Sequence, residues 1–395
     1  MPSKVRGSQK LTAFSDSIFP EMTRLAEEYG AVNLSQGFPD FPAPEALKRA
    51  ACAAISQDIN QYPIAYGARA LREAVAGQFH RRHGVAVDTE QEVTICCGST
   101  EAMLATMLAS VDPGDEVIVF EPFYENYGPT AILAGGTPSY LRLEPPDWTI
   151  DADRLARAFS NRTRAIVINT PTNPTGKVFT REELQLIADL CQKWDVIAIS
   201  DEIYEHIVFD GRAHVPIASL AGMAERTVTI SGLSKTYSVT GWRVGWAIAP
   251  SSLTPGIRKM HDFLTVAAPA PLQEAGAVGL ALPDSYYQQM SAAYQRLRDW
   301  LIAILAERGF ICHPPAGAYY VMADVSGFGF ANDVEFARHL VRDIGVASIP
   351  GSSFYIDPRD GASLVRFCFS KKDETIREAA RRLEALQRPA NLSAR

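Results

Sequence analysis

One lysine is set apart by its neighbours. In Ser231-Gly232-Leu233-Ser234-Lys235-Thr236-Tyr237-Ser238-Val239-Thr240-Gly241-Trp242-Arg243, Lys235 follows the apolar β-type run Thr227-Val228-Thr229-Ile230, and Arg243 precedes a second apolar run. A lysine at a strand end beside apolar residues loses solvation, which weakens its hold on the proton and leaves a usable amine nucleophile. The hydroxyls around it and the arginine suit a phosphate. This combination points to a Schiff base with pyridoxal phosphate (PLP). The alternative for any single lysine is a solvated surface charge, but nothing from Ser231 to Arg243 reads as an exposed helix face.

Other candidates follow similar apolar runs. Asp201 closes Val196-Ile197-Ala198-Ile199-Ser200. A carboxylate at the end of a buried strand is costly unless a cation meets it, and the ring nitrogen of PLP is such a cation; the competing reading is a helix N-cap. Tyr204 is placed to donate to the ring's phenolic oxygen, or to sit in the core. Asn169-Thr170-Pro171-Thr172-Asn173-Pro174-Thr175-Gly176-Lys177 makes a rigid turn able to hold the Asn173 amide against a ligand. Gly98-Ser99-Thr100-Glu101 opens an apolar helix whose first N–H groups can bind phosphate, the same geometry as a plain Ser/Thr cap. Arg366, inside an apolar strand-like run, requires an anion: a bound carboxylate or an internal salt bridge.

Several chemistries are excluded. Gly176-Lys177 lacks the rest of a P-loop, since Pro171 stands at the leading glycine and Val178 replaces Ser/Thr. A dinucleotide-type G-x-G-x-x-G is absent. Gly232 occupies the serine position of a Ser-x-x-Lys nucleophile. His80 and His83 have helical spacing, but Arg81 and Arg82 lie between them, which fits a solvated face and no metal site. A net charge of −7 gives no basic surface for nucleic acid or anionic membrane.

The chain's 395 residues exceed a single core and predict two domains. The first ~45 residues read as loop, with Gly37-Phe38-Pro39-Asp40-Phe41-Pro42-Ala43-Pro44 too proline-rich for a helix or central strand. Apolar runs then recur at 92–95, 117–120, 165–168, 196–199 and 228–230 without strict alternation, as in strands buried on both faces. Between them lie helical patterns such as Leu184, Ile187, Ala188 and Cys191, with Thr180 and Glu183 spaced as a capping box. The class is α/β: a large domain whose mostly parallel central sheet is flanked by helices, plus a smaller discontinuous α/β domain. Boundaries are placed at 1–50 for an N-terminal arm and part of the small domain, 51–282 for the large domain and 283–395 for the small one. A long helix at Tyr286–Arg308, strands near 318–322 and 364–369 and a closing helix at Asp373–Gln387 make up the last part. Cysteines 52, 96, 97, 191, 312 and 368 form no C-x-x-C and predict buried free thiols. No apolar signal core follows Met1–Gly7 and no run of about 18 apolar residues exists, so a cytoplasmic protein without a membrane span is expected.

In this order these residues resemble the class I/II aminotransferases of PLP fold type I, and within them the kynurenine/glutamine/methionine branch. The motifs are Gln36-Gly37-Phe38-Pro39-Asp40-Phe41, Glu121-Pro122-Phe123-Tyr124, Asn169 to Gly176, Ser200-Asp201-Glu202-Ile203-Tyr204, Ser234-Lys235-Thr236-Tyr237 with Thr240-Gly241-Trp242-Arg243-Val244-Gly245, and Val365-Arg366-Phe367-Cys368-Phe369. The resemblance implies that Lys235 holds PLP and moves the proton, that Asp201 pairs with the ring nitrogen, and that Asn173 and Tyr204 bind the ring oxygen. It implies Tyr124 stacked on the ring, and Ser99, Thr100, Ser234 and Arg243 on the phosphate. Tyr62 would reach the phosphate of the partner subunit, implying a homodimer with shared sites. Arg366, with Gly37 and Asn173, would bind the substrate α-carboxylate. Gly232 replaces a serine that many relatives use as a phosphate ligand, although other members share the glycine. The implied activity is ping-pong transfer of the α-amino group from an L-amino acid to a 2-oxo acid. Phe38, Tyr66, Tyr124 and Tyr355 predict a pocket for large, apolar or aromatic side chains. Alternatives are β-elimination from cysteine conjugates at the same site, and a non-enzymatic regulator, which would need a basic helix-turn-helix.

Overall fold

A computed structural model describes residues 7–14 and 17–387; Met1–Arg6 of the N-terminal reading and the tail from 388 lie outside them. A seven-stranded sheet runs in the order Val93–Cys96, Gly245–Ile248, Thr227–Gly232, Ile197–Asp201, Thr163–Asn169, Glu116–Glu121, Thr137–Arg142. Gly245–Ile248 pairs antiparallel with both its neighbours, and the other strands run in one direction. Strand side chains alternate between faces, and both faces are apolar. Ile118, Phe120, Ile166, Ile168 and Ala198 pack with Leu184, Ile187 and Cys191, while Val117, Val119, Val167, Ile199 and Val228 pack with Met103, Met107 and Ile257 on the other side. This double burial produces the unbroken apolar runs of the sequence. Thr137–Arg142 lacks such a run because it is the sheet's edge.

The helix Arg181–Trp194 begins at the expected capping box: Glu183 N donates to Thr180 Oγ1 at 3.2 Å and Thr180 N to Glu183 Oε2 at 2.9 Å. The long helix spans Asp284–Glu307 and the closing one Asp373–Leu383. Beside them a four-stranded antiparallel sheet runs Ile349–Pro350, Leu364–Cys368, Tyr320–Asp324, Ile311–Cys312. Val32–Asn33 pairs in parallel with Val346–Ala347, and Cys368 N donates to Leu34 O at 2.8 Å, so the N-terminal segment joins the C-terminal part of the chain.

Three expectations are corrected. The first ~45 residues are not all loop: Ile18–Glu28 is a helix with Ser17 as its cap and Met22, Leu25 and Ala26 inward. Pro20 lies in its first turn, where the missing N–H costs nothing. His80 is exposed as expected, but His83 turns inward against Phe79 and stands 3.6 Å from Glu205. All six cysteines are free, yet Cys52 is exposed on a helix. Among the described residues no helix is long and apolar enough to cross a membrane.

Gly232 is explained by packing. It pairs with Gly245, and a Cβ placed on it would stand 2.9 Å from Gly245 Cα and 3.0 Å from Val244 O. A serine there forces two backbones apart. Gly232→Ser is therefore expected to lower stability by about 1–3 kcal/mol, read as a fall in the denaturation midpoint; an unchanged midpoint contradicts this packing.

Candidate active site

In parallel sheets with crossover helices, ligands collect beyond the strands' carboxyl ends. At that edge lies a cavity of about 340 Å³, bounded on the far side by Arg366 and Tyr320 of the four-stranded sheet and by Gly37. Lys235 lies beyond Thr227–Gly232, Asp201 ends its strand, and Asn173 and Tyr124 follow theirs. Ser99 and Thr100 sit in the first turn of the helix Ser99–Ser110.

Lys235 Nζ donates to Gly37 O at 3.0 Å. Burial pushes the amine down to about 8, and Arg366 and Arg243 act in the same direction. Asp201 accepts from Tyr127 Oη at 2.8 Å and from Ile203 N at 3.2 Å. Burial raises its carboxyl to about 6, because those two donors and Lys235 only partly offset desolvation. No helix follows Asp201, which removes the N-cap reading. Tyr204 Oη lies 3.0 Å from Tyr320 Oη.

Arg366 sits in the middle of Leu364–Cys368 with 0 % exposure. Nη1 donates to Asn173 Oδ1 at 2.7 Å and Nη2 to Ser35 O at 2.8 Å. Tyr320, Phe19 and Phe354 present ring faces to it at 4.1, 5.0 and 5.1 Å. No carboxylate comes within ion-pair distance among the described residues, and Nε has no partner. The internal salt bridge open to the sequence is thus absent among them.

Arg243 takes a left-handed backbone (φ 54°) and lies across the start of the helix Ser99–Ser110, its Nη1 donating to Thr240 O at 2.9 Å. Gly98 (φ +85°) allows that approach, since a Cβ there would strike the guanidinium. The first-turn N–H groups, Arg243 and Ser234 form a cradle for a dianion. Behind it, His261 Nε2 donates to Ala65 O at 3.0 Å and Nδ1 lies 3.0 Å from Glu101 Oε2, which accepts from Cys97 N at 2.9 Å. This pair ties the cradle to the segment around Tyr66.

Of the residues singled out from the sequence, Gly37, Ser99, Thr100, Tyr124, Asn173, Asp201, Tyr204, Ser234, Lys235, Arg243 and Arg366 all line this cavity. Tyr62 does not; it is 82 % exposed. Of the four aromatics expected around the substrate, only Tyr124 lines it. Tyr66 is held over Arg258 at 3.9 Å, Tyr355 packs towards Arg142 and Phe38 lies beside Lys371. Sequence reasoning missed Tyr127, Glu125, Gln36, Phe19 and Tyr320. Glu125 adjoins Tyr124, Tyr127 opens the helix Tyr127–Ala134 just beyond, and Gln36 adjoins Gly37, so proximity to motif residues was the available signal; Phe19 had none.

Residues 29–383 match the family model for aminotransferase class I and II. This chain belongs to that family. The enzyme is similar to N-succinyldiaminopimelate aminotransferase from Mycobacterium tuberculosis, whose solved structure is 41 % identical with a TM-score of 0.94, covering 97 % of this chain and 100 % of that one. Methionine aminotransferase of Escherichia coli is 38 % identical, covering 95 % of this chain and 97 % of its own. Kynurenine–oxoglutarate transaminase 1 of Homo sapiens is 37 % identical over 93 % and 95 % respectively. The aminotransferase thus has PLP fold type I and uses PLP. The cavity fits that cofactor: a buried carboxylate without an ion-pair partner among the described residues suits its ring nitrogen, and the cradle suits its phosphate.

The raised Asp201 carboxyl has a consequence without cofactor. An acid whose folded pKa lies above its unfolded value stabilises the fold fully below the unfolded pKa, and that contribution is lost as pH rises through about 6. From 3.8 to about 6 the loss is about 3 kcal/mol. Cofactor-free Asp201→Asn is expected to unfold at a higher temperature than wild type at pH 7.5 but not at pH 4. A variant no more stable than wild type at pH 7.5 contradicts the buried, unpaired state of Asp201.

Proposed function

We propose that this aminotransferase moves the α-amino group of a large, apolar or aromatic L-amino acid to a 2-oxo acid by a ping-pong mechanism, with Arg366 holding the α-carboxylate. The observation that carries this reading is a fully buried guanidinium with no ion-paired carboxylate among the described residues, in the same cavity as an amine near pKa 8 and a buried acid. A bidentate carboxylate matches the fork of an arginine and relieves its burial.

Bound PLP supplies an electron sink for the charge left when a bond to the amino acid's α-carbon breaks. Lys235 is the covalent anchor, and its lowered pKa leaves an appreciable fraction of free amine near neutral pH. As a free amine, the Lys235 Nζ would take the proton from the substrate's α-carbon. Asp201, oriented by Tyr127, would keep the ring nitrogen protonated, Asn173 and Tyr204 would hold the ring oxygen, and Tyr124 would stack on the ring. Ser99, Thr100, Ser234 and Arg243 hold the phosphate. A single Arg366 must serve both donor and acceptor carboxylates, so the first product leaves before the second substrate enters.

The homodimer belongs to the same proposal. Ile64 and the 82 % exposed Tyr62 and Phe263 lie on two segments held together by Ala65–His261 and by Tyr66 over Arg258. An exposed apolar patch of this kind fits a second copy, which would place Tyr62 at the partner's phosphate. The domain division keeps the boundary between 282 and 283, but the first boundary is better drawn before Glu45 than at 50/51. The helix Glu45–Ser56 crosses residue 50, and Leu47 packs with Leu280 and Leu71.

Lys235→Ala is expected to abolish amino transfer together with the absorption band near ~400–430 nm of the PLP-loaded protein; retained transfer contradicts the assignment. Arg366→Gln is expected to lower kcat/KM for amino acids by roughly 30- to 1,000-fold while the band persists. An unchanged kcat/KM would move the carboxylate elsewhere.

A further inference from the structure

Beside the residues that follow Lys235 lies a second cavity, of about 490 Å³, which has no part in the chemistry above. The long helix Asp284–Glu307 lines it with Tyr286, Met290, Tyr294 and Leu297, facing Phe41 and Pro44 of the N-terminal segment. Thr236 and Ser238 also line it. A mostly apolar, ring-rich cavity of this size suits a small organic molecule.

The charges of this cavity do not balance. Arg296, Lys371 and Lys372 line it, with Asp373 as the one acid among the lining residues. Asp373 is already taken by Arg296, in a forked contact at 2.7 and 3.2 Å. Asp40, next to Phe41, accepts from Lys372 N and Thr375 Oγ1. Lys371 is 3 % exposed, and no carboxylate lies within ion-pair distance of it among the described residues. Its Nζ donates at 2.9 Å to Phe38 O, a neutral acceptor. An ammonium has three N–H bonds to satisfy, and a buried cation without a counter-charge is costly. Tyr294 is 2 % exposed, and its Oη has no hydrogen-bond partner among the described residues. A buried ammonium and a spare phenol in a ring-lined cavity suit one carboxylate on a flat apolar body.

We propose that this cavity is a binding site for a small aromatic carboxylate, its ring against the apolar walls and its carboxylate on Lys371. The site stands independently of the substrate reading, because no residue lines both cavities. The two are nonetheless joined through the backbone. Phe38 O holds Lys371, while Gly37 O before it accepts from Lys235 Nζ at 3.0 Å and from Tyr319 Oη at 2.7 Å.

Calorimetric titration of the PLP-loaded enzyme with indole-3-acetate tests the site. Binding is expected that persists in Arg366→Gln and weakens about tenfold or more in Lys371→Gln. Ala293→Phe, at an exposed lining position on the long helix, fills the cavity without touching Lys371 and is expected to abolish the same binding. It keeps the test open should Lys371→Gln fail to fold. The uncharged 3-methylindole is expected to bind about tenfold or more weakly than indole-3-acetate. Binding that is lost in Arg366→Gln and kept in both cavity variants overturns the proposal and marks the active site alone. So does the absence of binding at millimolar indole-3-acetate, or equal affinity for 3-methylindole.

Discussion

A guanidinium removed from water with no ion-paired carboxylate among the described residues is the constraint around which this molecule is arranged. Arginine cannot escape the cost by losing its proton, so the surrounding groups must carry the charge. Here they come from separate parts of the chain: Ser35 O and Phe19 from the N-terminal segment, Asn173 from the loop after a central strand, and Tyr320 and Phe354 from the C-terminal part. Two neutral acceptors and three ring faces soften the burial of Arg366 without neutralising it. The charge is left for a ligand, and the three chain segments are held together at the point where that ligand would sit.

The same tension recurs across the cavity. Asp201 is a buried acid with a phenol and a backbone N–H for company, and Lys235 is an amine whose nearest acceptor is the Gly37 carbonyl. Each is costly alone. Parallel strands make the arrangement possible, because their carboxyl ends bring Tyr124, Asn173, Asp201 and Lys235 to one edge although they lie far apart in sequence. Close contacts hold that edge tight. Gly232 lies against Gly245, and Arg243 crosses the helix start at Gly98, both positions where a side chain would intrude.

Much of this was legible in the residues. Strands buried on both faces show as unbroken β-branched runs, and the helix Arg181–Trp194 announced itself through period and capping box. The covalent, phosphate and carboxylate candidates were legible because a charged group beside an apolar run is a physical contradiction that demands a partner. What escaped was set by tertiary packing. The short helix Ile18–Glu28 reads from sequence as part of a proline-rich N-terminal loop, and the edge strand Thr137–Arg142 had no double burial to mark it. Tyr66 and Tyr355 carried aromatic bulk that pointed to the pocket, yet each is occupied by an arginine elsewhere. Glu125, in the short turn after Glu116–Glu121, and Tyr127, at the start of the helix Tyr127–Ala134, reach the cavity by a geometry that residue types alone do not encode.

The most direct test of these waiting charges is a crystal structure of the PLP-loaded enzyme with an unreactive carboxylate such as 3-phenylpropionate. The carboxylate should lie in a forked contact with the Arg366 guanidinium, and the cofactor's ring nitrogen within hydrogen-bond distance of the Asp201 carboxylate. A carboxylate bound away from Arg366, with Asp201 still contacting only Tyr127 and Ile203, would contradict the account.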